Sequence, residues 1–161
     1  MNSTIPLSTG PSRTLFLGDV ENLVGRKDPA CSDVKAISVA VHKAFGHLEP
    51  VCVLACSHFN APAVWYNWPD ARNLVRSGPD GADKRLIQVV EDERVAERFG
   101  LVIIGSADGG FADTAAQLAS AGVHVIGALG RGRLSRKLQF AVHETVRLPI
   151  DWKSLNAAAA A

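Results

Sequence analysis

LVIIGSADGGFADTAAQLASAGVHVIGAL, residues 101–129, decides the fold. LVIIG at 101–105 is a short unbroken apolar run that stops at a turn, as a strand buried on both faces does. Residues 111–120 carry a helical pattern, Gly122 ends it, and VHVIGAL at 123–129 is a second apolar strand. Strand, loop, helix, glycine and strand over about thirty residues is the length and order of a right-handed βαβ crossover.

Working outward, TLFLGD at 14–19 and VCVLACS at 51–57 read as further buried strands, with a marginal strand over 73–76. Between the first two, Val34, Ile37, Val41 and Phe45 recur every three or four residues and mark one helical face, which Gly46 stops. Residues 83–99 give a second helix with the stripe Leu86, Val89, Val90, Val95 and Phe99. Its acids Glu91, Asp92, Glu93 and Glu97 interleave with Arg94 and Arg98, the pattern of a solvated outer face. Leu134, Leu138, Ala141 and Thr145 line up on a last helix before a short strand, LPI, at 148–150. The expected architecture is a three-layer α/β/α domain around a mostly parallel central sheet at residues 13–150. A flexible arm over 1–12 precedes it, and a low-complexity tail over 151–161 follows.

Hydrophobic residues are 47% of the 161 and charged residues 20%, enough apolar material for a core and far from a disordered composition. Lys plus Arg number 17 against 16 Asp plus Glu, so no bulk field announces a polyanionic partner. Cys31, Cys52 and Cys56 are an odd set without disulfide or zinc spacing, and they read best as free thiols. With no signal peptide and no apolar run of membrane-spanning length, the expected location is cytoplasmic, with no membrane contact.

Ligands of open parallel sheets bind outside the carboxyl ends of the strands. Asp19 closes the strand at 14–19, and Asp108 stands three residues after LVIIG. Asp83 lies where GPDGAD gives way to a helix, a position that helix capping alone would also explain. Turn formation would explain Asp19 and Asp108 singly. Together, on adjacent strands, such carboxylates would repel unless a hard cation such as Mg²⁺ or Mn²⁺ joined them. Phosphodiester hydrolysis is the chemistry such an ion suits. Ser106 is in no G-x-S-x-G elbow, and neither a G-x-x-x-x-G-K-[ST] loop nor a G-x-G-x-x-G turn is present.

FLGDVENL at 16–23, GADKRLIQVV at 81–90 and IIGSADGGFADTAAQLASAGVHVIGAL at 103–129 resemble the NYN domains of the PIN-like nuclease superfamily. The resemblance implies a metal-dependent endoribonuclease acting on single-stranded or structured RNA. Asp19, Asp83 and Asp108 would be the metal ligands, with Asn22 a polar partner. The chain departs from the family where Gly110 replaces the second aspartate of the last word; Asp113 or Glu21 would then have to supply the oxygen. A degenerate site serving RNA binding or protein interaction is the alternative.

Beyond the strand at 123–129, GRGRLSRKLQ gathers Arg131, Arg133, Arg136 and Lys137, expected as nucleic-acid phosphate contacts. A solvated helix surface competes with that reading. Trp65, Tyr66 and Trp68 are open to base stacking, core closure or a homodimer contact.

Overall fold

The computed structural model describes residues 12–160; the proposed arm, apart from Ser12, lies outside them. Six strands form one sheet: β1 (Thr14–Asp19), β2 (Val51–Cys56), β3 (Arg72–Val75), β4 (Leu101–Gly105), β5 (His124–Leu129) and β6 (Glu144–Arg147). All five pairings are parallel, in the order β3-β2-β1-β4-β5-β6. The chain therefore winds outward from β1 in one direction and from β4 in the other. Between those two strands lies the switch point, where consecutive crossovers leave toward opposite faces and open a crevice at the carboxyl ends.

The helices α1 (Val20–Val24), α2 (Cys31–Phe45) and α3 (Ala61–Asn67) cover one face. On the other face lie α4 (Gly81–Asp92), α5 (Val95–Arg98), α6 (Ala112–Ser120) and α7 (Arg136–Ala141). β1 and β4 are buried along their whole length, which is why their sequences run apolar without alternation. Gly18 and Gly105 sit opposite each other in the β1–β4 register. A Cβ on either would come within 2.8 Å of the Phe16 ring, so the paired glycines make room for that ring beside Phe45 and Trp68.

Three local expectations are corrected. The helix expected over 83–99 breaks at Arg94, whose φ is 51°, and α5 is a separate turn that brings Val95 into the core. The last helix stops at Ala141, and the final strand is β6, not LPI. The stretch ETVR alternates between half-buried and exposed positions, the period of two of a sheet-edge strand. Residues 152–160 form a helix, α8 (Trp152–Ala160), whose Trp152 packs against the α1–α3 face.

Candidate active site

The end of β1 and the end of β4 are tied together by Asn22. Its backbone N–H donates to Asp19 Oδ1 at 3.1 Å, and its Oδ1 accepts the Ala107 N–H at 2.9 Å. Asp19 caps α1, and Asp108 caps the following turn by accepting the Gly110 N–H at 2.8 Å. Each aspartate uses one oxygen in this way and keeps another. Asp83, in the first turn of α4, accepts no backbone N–H, and Asp80, which precedes α4 with a φ of 53°, makes no capping bond. Capping thus fails to explain either of these two acids.

Asp80, Asp83 and Asp108 each present an oxygen, all within 4.8 Å of one another. The cluster is a set of hard donors with the spacing of a divalent cation site. Asp83 is 6% exposed, and its Oδ1 is buried with no hydrogen-bond partner, although a buried polar atom ordinarily has one. Burial, the hydrogen bond with Asp19 and the charges of Asp19, Asp108 and Asp80 push the Asp83 carboxyl up to about 9. Asp19 is raised too, chiefly by burial, while hydrogen bonds from Asp83 and Asn22 pull it back. Burial and the neighbouring carboxylates thus favour the neutral form of Asp83, and a positive charge placed there would favour the ionised form instead.

These residues line a cavity of about 800 Å³ between β1, the β2–α3 loop and the start of α4. Lys27 and Arg76 supply positive charge to its wall, and Phe59 stands at its rim. Glu21 is held by two donors, the Ser57 N–H and the Asn60 amide, both 2.7 Å from Oε1, while Oε2 is buried and unpaired. Gly110 lies alongside: a Cβ there would be 3.4 Å from Asp108 Oδ1 and 3.7 Å from Asp83 Oδ2. Its φ is not left-handed, so the position tolerates a side chain.

Of the residues expected from sequence, Asp19, Asn22, Asp83 and Asp108 come together at this cavity. Asp113 is exposed in the first turn of α6 and lines neither this cavity nor its neighbour. Arg131 and Arg133 border the neighbouring hollow, whereas Arg136 and Lys137 point away on exposed positions of α7. Trp68 is core, and Trp65 and Tyr66 are exposed away from the cavity lining. Sequence reasoning missed Asp80, Lys27 and Arg76. The paired aspartates of GPDGAD, three residues apart across a glycine, were the available signal for Asp80.

No family model matches the chain, and no curated protein matches it. Solved structures do share its fold. A protein of unknown function, VPA0982 from Vibrio parahaemolyticus, superposes with a TM-score of 0.61 at 14% identity, over 90% of this chain and 96% of that one. YcaC of Escherichia coli, described as an octameric hydrolase of unknown specificity, gives 0.51 at 15% identity, over 96% and 88%. YcaC from Pseudomonas aeruginosa, solved with hexane-2,5-diol and covalent acrylamide, gives 0.53 at 14% identity, over 94% and 88%.

These matches correct the PIN-like (NYN) fold assignment: the three-layer α/β/α architecture stands, but on the fold shared with the VPA0982 and YcaC structures. The metal-dependent endoribonuclease activity and the alternative RNA-binding or interaction module rested on that assignment and are withdrawn with it. The physical reason lies in the topology. Any sheet of this strand order brings the loops after β1 and β4 to the switch point, so short words around two strand-end aspartates report the winding more than the chemistry.

Cys56 does not fit the geometry of a cysteine nucleophile. Cys56, at the end of β2, is fully buried, donates to Asn73 Oδ1 at 3.5 Å, and has its thiol pushed up to about 11, mainly by burial. A reactive cysteine needs the opposite, an accessible thiol with its ionised form favoured. His58 is hydrogen-bonded to Ser77 instead of Cys56. No helix among the described residues is long and apolar enough to cross a membrane.

Proposed function

We propose that the chain is a divalent-cation-dependent hydrolase of phosphate esters, with Mg²⁺ or Mn²⁺ held by Asp80, Asp83 and Asp108. The observation that carries the reading is the buried, partnerless Asp83 Oδ1 within reach of two further carboxylates. Five acids, Asp19, Glu21, Asp80, Asp83 and Asp108, line the pocket, and burial together with neighbouring carboxylates holds Asp19 and Asp83 above the ordinary carboxylate range. The Escherichia coli YcaC structure, described as a hydrolase of unknown specificity, is in keeping with a hydrolytic reaction and goes no further.

When bound, the cation would polarise the phosphoryl group and neutralise charge developing on its oxygens. Lys27 and Arg76 face the same cavity and would bind the remaining phosphoryl oxygens. Glu21, fixed through Oε1 and lining the pocket, would accept a proton from the attacking water. The water oxygen bonds to phosphorus, the ester P–O bond breaks, and the departing alkoxide takes its proton from solvent. Asn22 keeps the β1 and β4 ends in register so that Asp19 and Asp108 face one point.

The test is Mn²⁺ calorimetry combined with hydrolysis of p-nitrophenyl phosphate and of an amide and a carboxylic ester, with and without EDTA. Mn²⁺ binding lost in Asp108→Asn, with EDTA-sensitive phosphate-ester cleavage, is the expected result. Metal-independent amide cleavage abolished by iodoacetamide and by Cys56→Ser would overturn it in favour of cysteine chemistry.

A further inference from the structure

Next to the acidic cavity lies a second hollow of about 480 Å³, and the two share Glu21, Asn22, Lys27 and Asp108 as a common wall. The far wall is basic, built from Arg26, Arg131 and Arg133. Arg26 is paired, at 3.9 Å with Asp28 and 3.8 Å with Asp33. Lys27, Arg131 and Arg133 make no salt bridge among the described residues. Three cations without salt bridges thus border the two hollows beside the carboxylates.

The loop that carries Arg131 and Arg133 is fixed from three sides. The Arg131 N–H donates to the Leu23 carbonyl at 2.9 Å. The Arg147 guanidinium donates to the Gly130 carbonyl at 3.2 Å and to the Gly132 carbonyl at 2.9 Å, so it clamps the residues on either side of Arg131. The Arg131 guanidinium itself lies over the Trp152 ring, 5.1 Å from its centre. Gly130 is required by the approach: a Cβ there would sit 2.0 Å from the Leu23 carbonyl oxygen. Gly132 has a φ of +96°, which lets the chain turn so that Arg133 reaches the hollow. A solvated run of charge would not need such anchoring, whereas a preorganised anion site gains affinity from it.

We infer that this hollow is a second anion subsite and that the substrate of the adjoining acidic site carries a polyphosphate chain. The inference rests on the phosphate-ester reading for the identity of the scissile group, but anion capture by the arginines does not need the cation. One phosphoryl group would lie at the carboxylate cluster, across Asp108 from the next, which the Arg131 and Arg133 guanidinium groups would hold through paired charge-assisted hydrogen bonds.

The experiment is calorimetric titration of the full chain with tripolyphosphate and with orthophosphate, both in EDTA, so that failure of the metal reading leaves the result interpretable. Tripolyphosphate should bind at least about tenfold more tightly than orthophosphate, the gain from one added charge-assisted contact. Arg133→Ala, an exposed residue with no structural hydrogen bond, should remove most of that difference, and Arg131→Ala/Arg133→Ala all of it, with folding checked by circular dichroism. Equal affinity for the two anions, wild-type affinity in Arg133→Ala, or binding seen only after Mn²⁺ is added would overturn the inference.

Discussion

At the amino end of the sheet, His124 and His143 stack with ring centres 4.6 Å apart, and both are engaged: His124 Nε2 meets Glu144 at 3.0 Å and His143 Nδ1 accepts the Val125 N–H at 3.0 Å. At the carboxyl end, Asp83 Oδ1 and Glu21 Oε2 are buried without partners, and Asp83 keeps its proton far above the ordinary carboxylate range. Both ends of the one sheet hold titratable groups, at strand starts on one side and on the helices that follow strands on the other. The contrast teaches that the first set is structural, since its interactions are complete within the chain. The second is incomplete, with buried oxygens left unpaired beside other carboxylates, a cost that a bound cation would relieve.

The comparison breaks most decisively at the metal. Asp83→Asn should weaken Mn²⁺ binding by about 10- to 100-fold, the loss of one charged ligand contact, measured by calorimetry. The same substitution should stabilise the metal-free protein at pH 8 by roughly 1–2 kcal/mol, because a neutral amide donates to Asp19 without a proton being taken up. Loss of stability on urea denaturation would show that the carboxyl end is as structural as the other.

A pH series sharpens the contrast. The Asp83 carboxyl is raised from 3.8 to about 9, so between those values the native state binds more protons than the unfolded chain. Its contribution to metal-free stability is therefore fully present below pH 3.8 and falls as pH rises toward 9. Saturating Mn²⁺ should flatten that decline in thermal melts, and Asp83→Asn should remove it.

Gly110→Asp extends the acidic set, since its Cβ would lie 3.4 Å from Asp108 Oδ1 and its backbone is not left-handed. Mn²⁺ affinity should rise several-fold, by about 1 kcal/mol or less, with a comparable loss of metal-free stability from added like charge. No gain in affinity with the fold intact would place the cation away from Gly110. The smallest effect is expected at the amino end. His124→Gln should cost roughly 0.5–1 kcal/mol and leave Mn²⁺ binding unchanged, because the partly exposed Glu144 contact is a single hydrogen bond far from the cluster.

The sequence by itself determined the layers. Unbroken apolar runs at β1, β2, β4 and β5 announce strands covered on both faces, and the stripes of α2 and α4 announce helices that cover them. It also placed Asp19, Asp83 and Asp108, because strand-end and helix-start acids are visible from periodicity alone. Short motif words misled where they were asked for a family: they record strand ends and turns that many doubly wound sheets share. Only the tertiary structure decided what surrounds those acids. That Asp108 meets the Asp80–Asp83 pair while Asp113 does not, that Asp83 Oδ1 is left without a partner, and that Arg147 clamps the Arg131 loop all depend on how elements distant in sequence are brought together. Periodicity reports which face a residue occupies, but desolvation and charge crowding depend on what the other elements bring to the same point.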